Sequence, residues 1–241
     1  IEAERKRLSR PDRKRAIGGG RDQELSVQNQ LLLTIIWLRC YPKQSVLSYL
    51  FGTSEASVSR IINRLLPLLE ASGRDTMRLP DPGRKRRRAL DELLQATPEL
   101  AVIIDSFEQK VQRHQERKEA DAHYSGKKKQ NTLKVQVAVE EEYGLFVDVS
   151  ASVPGPTADI KLLKQSKLLT RLPQGMGAIG DLAYHSLDQL HPEGLGATPR
   201  RKPRGKERPP EDILFNQAFA RRRIKVEHSI GFARRFEAIA Q

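Results

Sequence analysis

Three carboxylates could do metal chemistry in this chain. Asp105 closes the compact apolar run AVIID (101–105), and Asp181 closes GMGAIGD (175–181). Glu227 stands in RRRIKVEHSIGFARR (221–235), a segment otherwise crowded with bases. An Asp that ends a strand emerges at the carboxyl edge of its sheet, where α/β folds bind their ligands. Two such strands side by side would bring both aspartates together, and a helix crossing that edge with an inward Glu would add a third oxygen donor. Mg²⁺ and Mn²⁺ prefer hard oxygen ligands and are held by a few carboxylates plus substrate phosphate. Two such ions, roughly 3.5–4 Å apart, activate a water or a 3′-hydroxyl and stabilise the departing oxygen of an in-line displacement. The expected cofactor is therefore Mg²⁺, replaceable by Mn²⁺, at two ions per site. Each residue alone has an ordinary explanation, because a strand-end Asp caps turns and a helical Glu among arginines forms ion pairs.

The charge balance narrows the substrate. Lys and Arg number 43 against 30 Asp and Glu over 241 residues, a formal net charge of +13. That excess calls for a polyanionic partner. No apolar run reaches the eighteen or so residues of a membrane span, and the bases are scattered along the chain instead of flanking a hydrophobic anchor. Nucleic acid is the expected partner and membrane is not. Arg86 within RKRRR (84–88), Lys127, Lys128 and Lys129, and Arg223 and Arg234 beside Glu227 are the candidate phosphate contacts. A basic run is ordinarily just a solvated stretch, so these depend on what surrounds them. The single cysteine, Cys40, lies in an apolar stretch and reads as a small core residue. One thiol forms no intramolecular disulfide, which suits a reducing compartment: cytoplasmic and, in a bacterium, nucleoid-associated. The first residues mix acids with bases and have no apolar core of a secretory signal. The five histidines lack the spacing of a zinc site.

The elements that must position these residues follow from periodicity. Residues 1–24, base-rich and interrupted by Gly-Gly-Gly, read as a basic arm. From Ser26, an expected N-cap, SVQNQLLLTIIWLRC forms a buried helix that Tyr41-Pro42 ends. KQSVLSYLF forms a second helix, Gly52, Thr53 and Ser54 a turn, and EASVSRIINRLLPLLE a third helix with Val58, Ile61, Ile62 and Leu65 inward. Its outer face offers Ser57, Ser59, Arg60, Asn63 and Arg64, all able to reach phosphates or base edges. Two helices joined by a short Gly-containing turn, the second polar outside, make a helix-turn-helix pattern; the bland reading is a three-helix bundle with solvated arginines. The expected organisation is an arm (1–24), this all-α domain (25–71), a basic linker (72–92) and a second domain (93–241).

In the second domain the period changes. AVIID is a strand, LKVQVAV (133–139) and LFVDVSASV (145–153) alternate as a hairpin with one core face, and DIKLLKQSKLLTRL (159–172) is a helix. GMGAIGD is a short strand, a Pro- and Arg-rich loop follows to about Pro210, and a long helix runs from about Asp212 to the C-terminus. That order describes an α/β domain with a mixed sheet flanked by helices, the order of a ribonuclease-H-like fold.

At VIIDSFEQKVQR, YSGKKKQNTLKVQVAV, VPGPTADIKLL, GDLAYHSL and RIKVEHSIGFARRF, taken in order, the sequence resembles the insertion-sequence transposases of the DDE superfamily, the group that includes Harbinger-like elements. The resemblance covers nearly the whole chain from about residue 25. It implies a terminal-repeat-binding N-terminal domain, a ribonuclease-H-like catalytic domain that sets the first and fourth strands side by side, Mg²⁺ dependence, and cut-and-paste mobilisation by a homodimer or larger oligomer on duplex DNA. By motif, Asp105, Asp181 and Glu227 match the catalytic acids. Relatives commonly have His-Asp where this chain has Ala158-Asp159, so Asp159 is expected either to cap a helix or to join the site, and it ranks below the other three acids. In the related Tyr-x-x-Arg-x-x-x-Glu-x-x-x-x-x-x-Lys pattern, Arg223 and Glu227 match, Arg234 replaces Lys and Ala220 replaces Tyr. Tyr184 reads either as a stacking platform for a flipped base or as core. The competing functions are a transposase-derived DNA-binding regulator that no longer cuts, and a related nuclease acting on RNA or branched DNA.

Overall fold

The computed structural model describes residues 25–77, 79, 101–191 and 194–240. They fall into two compact units, one of the residues up to Thr76 together with Phe236–Ala238, the other of Met77–Arg235 together with the residues from Ile239. The arm at 1–24, the basic run with Arg86, and most of the expected linker lie outside the described residues.

The first unit is three helices: α1 (Val27–Cys40), α2 (Gln44–Phe51) and α3 (Glu55–Thr76). Ser26 caps α1 by accepting from the Asn29 amide at 3.2 Å, and Tyr41 closes it in a left-handed conformation. Gly52 (φ 60°) ends α2, and Ser54 starts α3 by accepting from the Ser57 amide at 3.2 Å. The core is Leu33, Leu47, Val58, Ile61, Ile62 and Leu65. Two expectations need correcting. α1 is buried on one side only: Val27, Leu31, Leu32 and Ile35 remain exposed, and so does Cys40, which is no core residue. A helix apolar all round does not reveal from its sequence which face is covered. α3 also runs through Pro67 to Thr76, well past Glu70, with a Glu70–Arg74 pair at 3.0 Å along its last turns.

The second unit is a mixed sheet covered on both faces. Its central strand is β1 (Ala101–Lys110), followed by α4 (Arg117–His123), β2 (Tyr124–Ser125), β3 (Gln130–Glu140), β4 (Phe146–Val149) and β5 (Val153–Pro154). Then come α5 (Asp159–Ser166), α6 (Leu168–Arg171), β6 (Gly177–Ile179), a 3₁₀ turn (Leu182–Tyr184), α7 (Leu187–Leu190), β7 (Gly196–Ala197) and α8 (Pro210–Ala233); the short helix α9 (Glu237–Ala240) follows, its Glu237 and Ala238 belonging to the first unit. β3 runs antiparallel to β1 on one side, β6 parallel on the other, and β7 lies parallel beyond β6. β4, β5 and β2 pair with β3 in turn. Antiparallel strands on one side of β1 and parallel ones on the other give a ribonuclease-H-like α/β sheet.

Alternation sorts the side chains of β1 between two cores. Ala101 and Ile103 pack with Val137, Val139 and the α8 residues Phe215, Phe219, Val226 and Ile230. Val102 and Ile104 pack with Ala138, Leu163, Leu168 and Tyr184 on the other face. The hairpin therefore has two core faces, not one, because helices cover both sides of the sheet. The alternation expected through 145–153 also fails: a bulge at Ala138/Val139 opposes Val139 to Phe146 and Val137 to Val149. One extra residue swaps which side chains share a face, so Val147 and Val149 enter different cores. Residues 159–172 are two helices broken at Lys167 (φ 53°), and β7, expected as loop, extends the sheet. The final long helix stops at Ala233.

Candidate functional site

Asp105 does not end its strand. β1 continues to Lys110 against β3, but its parallel pairing with β6 stops at Ile103↔Ile179. Asp105 and Asp181 therefore each lie two residues beyond the last paired position, on the same side of the sheet as Ile103 and Ile179, the side that α8 covers. Asp181 begins the 3₁₀ turn, accepting from the Ala183 amide at 2.9 Å. Arg223 and Glu227 come from α8, four residues apart and hence on one flank of it. α8 is fastened on either side of them: Arg222 forms a two-pronged ion pair with Glu141 at 2.6 Å, and the Ser229 hydroxyl donates to the Gly144 carbonyl.

The electrostatics show that the three acids share one neighbourhood. Asp105 has its carboxyl pKa raised above the usual value, first by burial and further by the nearby charges of Asp181 and Glu227. The Ser106 amide, donating to Asp105 Oδ1 at 2.7 Å, and Arg223 pull the other way. Arg223 Nη2 stands 3.6 Å from Asp105 Oδ2, and its Nε has no hydrogen-bond partner among the described residues. The donor set is all carboxylate, the kind a hard divalent cation takes. The three side chains are not drawn onto one point, however: among the described residues no three His, Cys, Asp or Glu are placed to hold a metal ion.

Asp159 is not a cap. It is the first residue of α5, after an N-cap Ala158 that makes no side-chain bond. Its carboxylate accepts from the Ser106 hydroxyl at 2.6 Å and pairs with Lys134 Nζ at 3.1 Å. Lys134 also donates to the Thr157 carbonyl at 2.6 Å. Ser106 thus meets Asp159 through its hydroxyl and Asp105 through its amide, which couples α5 to the acid on the opposite face of β1. Sequence periodicity missed Lys134 and Ser106 because alternation alone assigns polar strand residues to solvent. Tyr184 is fully buried against that second core, so it offers no platform for a base. A Cβ on Gly180 would come within 2.9 Å of the Tyr184 ring, so glycine there permits the packing. The Tyr184 hydroxyl lies near Ser106 without a hydrogen bond of ordinary geometry, and burial with the charges of Asp159 and Asp105 pushes its pKa up.

The other candidate residues divide by accessibility. Lys127, Lys128 and Lys129 are exposed in the turn between β2 and β3, and Arg234 is exposed after α8 with its guanidinium 5.5 Å from the Phe107 ring centre. On α3, Arg60 and Asn63 are exposed and Ser59 half-buried. Arg64 is turned inward and donates to the Gln30 side chain on α1, so it ties two helices together. We therefore expect Arg60→Ala and Asn63→Ala to erode preference for a cognate duplex over random duplex by about tenfold or more. A lost bidentate base contact costs about 1–3 kcal/mol of discrimination. Competition binding with both duplexes measures this; unchanged preference in both variants would make α3 a purely structural helix.

A curated relative from Microchaete diplosiphon, a "Probable transposase for insertion sequence element IS702", is 28% identical over 218 residues, 90% of this chain and 73% of that one. Among solved structures, a piggyBac transposase synaptic complex with hairpin DNA matches 88% of this chain at 15% identity and a TM-score of 0.37. The chain spans about half of that protein's length, 48%. A Mos1 transposase paired-end complex matches 96% of this chain and 85% of that one at 11% identity and a TM-score of 0.23. The family model "Helix-turn-helix of DDE superfamily endonuclease" matches residues 23–75. The model "DDE superfamily endonuclease" matches residues 104–241, more than half of the sequence and all three acids, and the chain belongs to that family.

Proposed function

We propose that this chain is a DNA transposase that binds the terminal repeats of its element and carries out metal-dependent strand cleavage and transfer. The observation that carries the reading is the placement of Asp105 and Asp181 side by side at the end of the β1/β6 pairing, with Glu227 of the fastened helix α8 near enough for its charge, like that of Asp181, to disfavour ionised Asp105. Asp105, Asp181 and Glu227 would hold Mg²⁺ or Mn²⁺, at two ions, which supply a polarised phosphoryl group and an acidified nucleophile. Arg223 yields its place beside Asp105 and turns to the scissile phosphate, a role its unpartnered Nε suits. In the first step a water oxygen bonds to phosphorus, the 3′-oxygen leaves, and a proton passes to solvent. In the second, the freed 3′-hydroxyl attacks a target phosphate and the target's 3′-oxygen departs. Arg60, Asn63 and Ser59 read the terminal repeat, and Lys127 to Lys129, Arg86 and Arg234 follow phosphates. The arm, reading domain, linker and catalytic domain are proposed to act together as a homodimer or larger oligomer on DNA. Mapping cut positions on the element's own ends in Mg²⁺ tests the proposal.

A further inference from the structure

Beyond Lys110, the end of β1, the chain from Val111 to Arg113 joins α4, β2 and the start of β3 around a cleft of about 530 Å³. Its walls are tied together: the Val111 amide donates to the Asn131 carbonyl at 3.0 Å, and the buried Asn131 side chain donates to Ala120 on α4 at 2.8 Å. Lys110, Arg113 and Lys129 line it, with Tyr124 and Gln130. Lys127 and Lys128 stand exposed on the adjoining turn. None of these five cations has an acidic partner among the described residues, and the cleft's own acid, Asp121, faces Arg117 at 3.8 Å. The Tyr124 ring is 49% exposed and stacks on no other ring among the described residues.

Unpaired bases set around an exposed aromatic ring, in a preformed cleft of small-ligand size, match one chemistry. We propose that this cleft binds an unpaired nucleotide of a DNA strand, its base stacked on Tyr124 and its flanking phosphates held by Lys110, Arg113 and Lys129. A duplex is too broad to enter such a cleft, whereas a single base with its phosphates fits. The five residues from Asp105 to Lys110 span about 16 Å of strand, so the cleft is a second point of contact and not part of the acid cluster. The inference rests on the DNA reading above for its ligand, but not on catalysis.

The test is fluorescence anisotropy of the full chain with a labelled oligothymidylate of about ten nucleotides, and separately with a hairpin duplex. Tyr124→Leu should weaken oligothymidylate binding about tenfold or more, since base–aromatic stacking is worth that much. Tyr124→Trp should restore it, and the Lys110→Gln/Arg113→Gln double variant should weaken it and flatten its salt dependence. Duplex affinity should change by less than about twofold in the Tyr124 variants. Oligothymidylate binding by Tyr124→Leu at the wild-type level, or equal loss of duplex and single-strand affinity, would overturn the proposal. The readout is binding alone, so a chain found unable to cut DNA leaves the result standing.

Discussion

Asp105→Asn, Asp181→Asn and Glu227→Gln should each lower strand cleavage and transfer by about a thousandfold or more while leaving the fold and end binding intact. Each change keeps side-chain size and removes one negative charge, so the centre loses a hard anionic donor with little change in packing. Loss of a partner one shell away from a metal costs about 10–100-fold, and loss of a ligand itself costs more. End binding should hold or improve, because a carboxylate near phosphates repels them. Asp105 adds a stability signature. Burial and the charges of Asp181 and Glu227 disfavour its ionised form, so Asp105→Asn should melt at or above the wild-type temperature near neutral pH without metal. The difference should shrink as pH falls through the raised pKa of Asp105, because the wild type then sheds the same charge by protonation. If the ion pair with Arg223 were instead the reason for Asp105, the variant would melt lower.

DNA affinity should fall about a hundredfold or more when salt rises from about 50 to 200 mM. Four phosphate contacts suffice for a loss of that size, at a slope of about −0.9 per contact. The structure narrows which bases contribute. Arg171 is engaged with Asp148, Arg200 with Asp212, Arg222 with Glu141 and Lys134 with Asp159. Lys127, Lys128 and Lys129, Arg221 and Arg234 are exposed. Changing the three lysines to Gln should reduce the slope by about two to three, whereas Arg222→Gln should lower stability and leave the slope unchanged. Affinity nearly independent of salt would remove the phosphate contacts from the account.

Legibility from sequence followed the range of the interactions. The turn at Gly52, the cap at Ser26, and the inward set of α3 are local, and all were readable from spacing. The meeting of β1 and β6 was not, since parallel pairing joins residues far apart in sequence; it came from the resemblance. Arg64 and Asp159 were hidden by one cause, a partner supplied from elsewhere in the chain. Arg64 looks like a DNA contact until Gln30 is seen to hold it. Asp159 looks like a cap until Lys134 and Ser106 are seen to engage it. The bulge at Ala138/Val139 inverts the pleat without any glycine or proline to announce it. Cys40 and the exposed apolar residues of α1 look like core because apolar residues cover the whole helix.

The most direct test is cleavage of a duplex carrying the native element's end, in Mg²⁺, by the purified wild type and Asp181→Asn, with cut positions mapped at nucleotide resolution. Wild-type protein should cut at the boundary of the terminal repeat and leave a 3′-hydroxyl, and Asp181→Asn, folded by circular dichroism and still bound to the same end, should not. End binding without cleavage by the wild type would contradict the account and leave a DNA-binding regulator in its place.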